Sequence, residues 1–203
     1  VTTIEEIARV VAVPISADAE AGYADDPRQV GENIAALIGA GAVGINIEDG
    51  KSPHELHLRK IEAARAAATR AGVNLYINAR TDVYLAKLAP PEQAVEETIR
   101  RGRACKAAGA SGLFAPFAMK AEDIAAIAEG VDMPLNIISW AGVPKASELK
   151  RLGARRLSAG TEIARVALTA ARVASEEFLA NGDSDALAAR AGERVDMNAL
   201  MKG

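Results

Sequence analysis

Six short apolar or β-branched runs recur along the chain: PISADAEAG, AVGINIED, LYINARTD, GLFAPF, PLNIISW and RRLSAG. Between them lie longer stretches in which apolar residues return every three or four positions. The short runs predict strands and the stretches between them amphipathic helices. Strand starts near residues 14, 42, 75, 112, 134 and 155 stand 21 to 37 residues apart, enough for a helix in each gap and too far for hairpins. A parallel sheet is therefore expected. Three segments, LIGAGAVGINIED, CKAAGASGLFAPF and KRLGARRLSAG, repeat one order of helix, Gly, Ala, strand, with the glycine free to take a left-handed cap. Asp26 followed by Pro27 predicts a helix start, and Ser52-Pro53-His54-Glu55 reads as a capping box with the same proline placement. TEIARVALTAARVASEEFLA, residues 161–180, predicts a long helix apolar on more than one face, which needs cover. From Asn181, with a break at Gly182 and Asp183, short helices are expected as far as VDMNALMKG.

Parallel strands in this order suit a doubly wound sheet or a closed β/α barrel. Polar residues choose between them. Nearly every strand ends in them: Asp18 and Glu20, Glu48 and Asp49, Arg80 and Asp82, Asn136 and Ser139, and Ser158. A barrel gathers all such ends at one mouth, whereas a doubly wound fold gathers only those at its switch point. No G-x-G-x-x-G follows the first strand, and the barrel is favoured. Within the first run, Ser16, Asp18 and Glu20 share a face if the strand continues. Two like charges on an inward face repel and lose hydration, so they call for a metal or a basic side chain between them. The alternative is that the strand stops at Ser16 and both acids are solvated loop residues.

Half of the 203 residues are hydrophobic, a quarter are charged, and the net charge is -3, so no basic surface invites nucleic acid. The length suits one sizeable domain, taken as a single barrel over 1–203 with 181–203 as its helical tail. The one cysteine, Cys105, lies on an Ala-rich helical pattern with no metal-binding neighbour, which predicts a packing role. No run is long enough to span a membrane, and VTTIEEIARVVA has an acidic pair where a signal peptide needs basic residues, so no membrane partner and a cytoplasmic location are expected. His54 and His57, three apart near a helix start without a third donor, predict surface or packing roles.

ADAEAGYADDP, GINIEDG, INARTDVYL and PLNIISWAGVPKASELKRLGARRLSAG, in that order from residue 13 to about 180, resemble the isocitrate lyase and phosphoenolpyruvate mutase superfamily. The resemblance implies a TIM-type (β/α)8 barrel that binds Mg2+, with Mn2+ as its alternative, and a small 2-oxo or 2-hydroxy carboxylic acid. It implies that Asp18 is the direct metal ligand and that Glu20 stands where a second acid acts through water. Glu48 matches a glutamate behind the metal, Arg80 the arginine that grips the substrate carboxylate, and Asn136 a substrate-binding asparagine. Tyr23 follows the acids as in the family's Gly-Tyr/Phe pair and is placed to touch substrate or to pack at the mouth. The alternative for Arg80 is a structural salt bridge with Asp82 or Glu48. The match begins at what corresponds to the third strand, and the first two β-α units have no counterpart, so the third to eighth units and about two more before Val1 are expected. Family members often exchange the helix after the last strand, which implies a homodimer or homotetramer.

Some features depart from the family pattern. C–C lyases of the family carry a Lys-Lys/Arg-Cys-Gly-His run on a lid after the fourth strand; here Glu48-Asp49-Gly50-Lys51 passes directly to Ser52, and Lys51 is expected to be solvated. Pro116 stands near the place of an acid on the sixth strand, and Trp140 where an aromatic or acid shapes the pocket. The expected function is a Mg2+-dependent lyase that cleaves a C–C bond through a metal-stabilised enolate. The alternatives are C–P mutase or hydrolase chemistry on phosphoenolpyruvate or phosphonopyruvate, and a non-catalytic carboxylate-binding barrel.

Overall fold

The structure, a computed structural model, describes residues 1–191 together with Asp196 and Ala199; the rest of the tail, where further helix was expected, lies outside the described residues. After α1 (Thr2–Ala8), strands and helices alternate: β1 (Ile15–Asp18), α2 (Pro27–Gly39), β2 (Ala42–Glu48), α3 (His54–Ala71), β3 (Tyr76–Arg80) and α4 (Ala94–Ala107). There follow β4 (Gly112–Phe114), α5 (Ala121–Val131), β5 (Leu135–Ile138), α6 (Ala146–Arg151), β6 (Ala154–Ser158), α7 (Glu162–Asn181) and α8 (Ser184–Ala191). The strands form one sheet in the order β1-β2-β3-β4-β5-β6, every pair parallel.

Local chemistry explains most boundaries. Asp26 caps α2 by accepting from Arg28 N at 3.0 Å, with Pro27 as the first helical residue. Gly41, Gly109 and Gly153, the three repeated glycines, have φ of 105°, 106° and 97° and turn the chain from helix to strand. The capping box does not form. Ser52 N is drawn back to Asp49 O at 2.9 Å, so Pro53 becomes the N-cap and no side chain caps α3.

Alternation along the strands sorts two faces. Ile45, Ile47, Ile77 and Ala79 pack with Val30 and Ile34 of α2 and Ile61, Ala64 and Ala68 of α3 in one apolar cluster. Leu113, Leu135 and Ile137 pack with Ile124 and Ile127 of α5 and Leu149 of α6 in a second. The opposite face carries Ser16, Asn46, Tyr76, Asn78, Asn136 and Arg156. It lies on the inside of a curl: Arg156 Nη1 on β6 donates to Asn46 Oδ1 on β2 at 3.2 Å although three strands stand between them. Tyr76 lies against Gly112, where any Cβ would overlap its hydroxyl. The result is an α/β fold whose curled parallel sheet is that of a partial β/α barrel.

Contacts divide the chain into two compact units, Val1–Ser158 and Ala159–Gly203. In the second, α7 and α8 meet at Gly182, with φ of 66°, and are tied by the Glu177–Arg190 ion pair. Ile163, Val166, Leu168 and Leu179 of α7 are exposed. No helix among the described residues is long and apolar enough to cross a membrane.

Candidate active site

The C-terminal ends of β1, β2 and β3 place the acids and the arginine side by side. Asp18 ends β1 in register with Asn46, and Glu48 ends β2 in register with Arg80 at the end of β3. The strand alternation stops at Asp18. Glu20 has φ of 45° and lies in a turn, not two places further along a strand face, and its N–H donates to Asp18 Oδ1 at 3.0 Å. That turn is held against β2, because Glu48 N donates to Glu20 O at 2.8 Å. Tyr23, at φ of 58°, donates its hydroxyl to Asp18 O at 2.7 Å. Burial, followed by the charges of Glu20 and Asp18, holds the Tyr23 hydroxyl above its usual range.

Arg80 is the cation at the centre of this group. Its Nε and Nη2 donate to Asp82 at 2.7 and 3.2 Å, and its Nη1 meets Glu48 Oε2 at 2.8 Å. The salt-bridge alternative for this arginine is therefore formed with both partners. Two of the guanidinium's five N–H donors bond to Asp82 and Glu48 is an ion-pair partner, leaving N–H donors on both terminal nitrogens without a hydrogen-bond partner among the described residues. The Phe114 ring lies 5.8 Å from Arg80 Cζ. Burial lowers the Arg80 pKa, but the bond to Asp82 and the charges of Asp82, Glu48 and Asp18 outweigh it, and the guanidinium titrates above its usual range.

Asp82 is fixed in turn from behind the sheet. Buried Asp49 accepts from Asp82 N at 2.8 Å, Thr81 Oγ1 at 2.7 Å and Arg101 Nη1 at 2.8 Å. Asp49 and Asp82 were legible as strand-end acids, but their service to Arg80 was not, since it depends on Arg101 arriving from α4. His57 is buried and His54 half-buried on the same side, and none of their ring nitrogens has a partner among the described residues. Packing is thus the role the structure gives His57.

Whether a divalent cation fits can be judged from the charges. Burial raises the Glu48 pKa; Arg80 opposes this, while Asp82, Asp18 and Glu20 add to it. Four carboxyl groups around one guanidinium leave negative charge uncompensated, on hard oxygen donors of the kind Mg2+ accepts. Among the described residues no three His, Cys, Asp or Glu side chains converge to cage a metal. The set fits an ion held through few direct carboxylates and several waters.

The remaining predicted residues lie apart from this cluster. Asn136 is buried two strands from Arg80, with its Nδ2 and Oδ1 3.0 and 3.1 Å from Ser158 Oγ. Trp140, half-exposed, meets Phe117 edge-on at 5.2 Å between centroids, which joins the loops after β4 and β5. Lys51 is exposed.

A family model described as phosphoenolpyruvate phosphomutase matches residues 1–179. An uncharacterized protein of Mycobacterium tuberculosis (strain ATCC 25618 / H37Rv), Rv1998c, is 30% identical over 147 residues, covering 72% of this chain and 54% of its own length. The oxaloacetate decarboxylase of Ectopseudomonas mendocina (strain ymp) is 30% identical over 155 residues, covering 73% of this chain and 53% of that enzyme. Among solved structures, a candidate phosphonomutase from Burkholderia cenocepacia J2315 superimposes with a TM-score of 0.82 at 35% identity, over 87% of this chain and 74% of that one. The chain spans about half the length of the curated relatives it matches.

Proposed function

Because the chain belongs to the phosphoenolpyruvate phosphomutase family, we propose that it carries the site of a lyase that breaks a C–C bond in a small 2-oxo or 2-hydroxy di- or tricarboxylate. Its six strands would stand as the third to eighth of a (β/α)8 barrel, with the substrate at the end where Asp18, Glu48 and Arg80 meet. The observation that carries the proposal is the clamp on Arg80. Asp82 holds the guanidinium by two of its N–H groups and Glu48 pairs with its charge at 2.8 Å, which leaves N–H donors on both terminal nitrogens for a substrate carboxylate.

Asp18 would hold a divalent cation directly, with Glu20 and Glu48 reached through water. When bound, that ion supplies a positive charge that stabilises the oxygen on which an enolate develops. The chain's own residues do the orienting. Arg80 grips the carboxylate, Asp82 and Glu48 prevent the guanidinium from turning, and Asp49 with Arg101 keeps Asp82 in place. Tyr23 ties its own loop to Asp18 O, which holds the turn bearing Glu20 close to Glu48. As the C–C bond breaks, its electron pair passes into the enolate, and fixed charges of this kind need no reorganisation at that moment. Similarity to an oxaloacetate decarboxylase supports a 2-oxo dicarboxylate as the substrate class.

A second reading, rearrangement or hydrolysis of a C–P bond, draws support from the candidate phosphonomutase at 35% identity. Five residues, Asp49 to Pro53, join β2 to α3, which leaves no room there for the cysteine-bearing run of the C–C lyases. We also propose that α7 exchanges between copies in a homodimer or homotetramer, which would cover its exposed apolar residues.

The test is product analysis of the full-length protein with Mg2+, oxaloacetate, other 2-oxo acids and phosphonopyruvate. Metal-dependent C–C cleavage is expected, with Asp18→Ala lowering turnover by about 100-fold or more, as for loss of a group that stabilises developing charge. Turnover of the phosphonate alone would establish the second reading. Turnover of nothing would leave a carboxylate-binding protein without catalysis.

A further inference from the structure

The buried face of α3 carries His57, Lys60, Ile61, Ala64, Ala67 and Ala68. Lys60 breaks the apolar character of that face: its side chain is 2% exposed. An ammonium in such a place loses hydration, and a Met or Leu would fill the same space without that cost. Local rules broken in this way mark functional positions. Its Nζ donates to Ala21 O at 2.9 Å, in the loop between β1 and α2. The nearest acid, Asp25, is 3.8 Å away with its side chain almost fully exposed, so solvent weakens that pair and the carbonyl is the main partner.

That loop bears the acids and is bent against its preferences. Glu20, Gly22 and Tyr23 have φ of 45°, 90° and 58°, three left-handed residues in four, two of them with side chains. It keeps this shape because successive carbonyls are captured by different elements: Glu20 O by Glu48 N at the end of β2, Ala21 O by Lys60 of α3, and Gly22 O by Asn33 Nδ2 of α2 at 2.9 Å. Lys60 is the one charged captor and the only one of the two side chains that is buried.

We propose that Lys60 is a positioning residue: it locks the loop after β1 so that Asp18 and Glu20 are set, before any ligand arrives, for a divalent cation. The proposal rests on the reading of those two acids as the holders of the cation. Groups that orient metal ligands from behind typically alter metal affinity 10- to 100-fold when removed.

Mn2+ alone is the probe, added to the full-length protein, with the free ion counted by electron paramagnetic resonance. Lys60→Met is expected to weaken Mn2+ binding about 10-fold or more. Lys60→Arg, which can still reach the carbonyl, should recover most of that loss. Amide exchange should quicken over residues 19–24 while β2 and β3 stay protected. Should Lys60→Met not fold, Lys60→Gln is judged by the same criterion. Affinity within twofold of wild type in the folded variant overturns the proposal. Asp18→Ala separates the two ideas: if it abolishes Mn2+ binding while Lys60→Met stays within twofold of wild type, the role of Lys60 falls alone. If Asp18→Ala leaves binding intact, the metal reading falls and the role of Lys60 falls with it.

Discussion

Protonating His57 should unfold this chain more readily than its two histidines would suggest. The ring is 1% exposed, and neither of its nitrogens has a hydrogen-bond partner among the described residues. Burial is the main reason its pKa falls to about 4; His54, Lys60 and Arg101 push it further down, and Asp49 pulls it back. In the unfolded chain the imidazole titrates near 6.5. Between those values the unfolded state binds the proton and the folded state does not, so stability rises with pH across the window and is lost as pH falls through it. A gap of about 2.5 units, at 1.36 kcal/mol per unit, amounts to about 3 kcal/mol, of which most is gone by pH 4.5. Urea unfolding of wild type and His57→Leu at pH 7.5, 6.5, 5.5 and 4.5 measures this against a background in which every other group titrates alike. The wild type should lose about 2–3 kcal/mol more than the variant over that range. Parallel curves for the two proteins, or a His57 resonance that titrates near 6.5 in the folded state, would refute the reasoning.

Arg80→Lys keeps the charge but not the fork, and should lower kcat/KM by roughly one to three orders of magnitude, with kcat falling as well as KM rising if the guanidinium orients the breaking bond; steady-state kinetics on the preferred acid decides. Cys105 is fully buried on α4, and burial pushes its thiol up to about 12, so iodoacetamide should leave both the residue and turnover untouched in the folded protein, as peptide mass mapping would show.

The succession of strands was readable because each is announced by its own neighbours. A left-handed glycine precedes β2, β4 and β6, and the six predicted starts fall within one residue of those observed. A salt bridge of Arg80 with Asp82 or Glu48 was the alternative reading of that arginine, and both partners engage it. What was not readable depends on approach from a distance. Ser52 fails to cap α3 because a turn from Asp49 claims its amide. Glu20 leaves the strand face because three other elements hold its loop in a left-handed bend. Lys60 looks like an ordinary surface residue until α3 is packed and the Ala21 carbonyl is found above it. Asn136 is in place on β5, yet its amide is engaged by Ser158 of the next strand.

The bond from Arg156 to Asn46 also orders events in time. Neighbouring strands here are neighbours in sequence, so the sheet can grow by successive closures of short loops, each with a modest entropy cost. Arg156 and Asn46 are 110 residues apart, and their contact requires that all the intervening strands be in place and curled. It is expected to form in the last stage of assembly, after the pairing that defines the sheet, and a φ-value near zero for Arg156→Ala would show this. Contacts made that late contribute little to the rate of folding and mainly to the rate of unfolding, so the inner polar link acts as a latch on a structure already built.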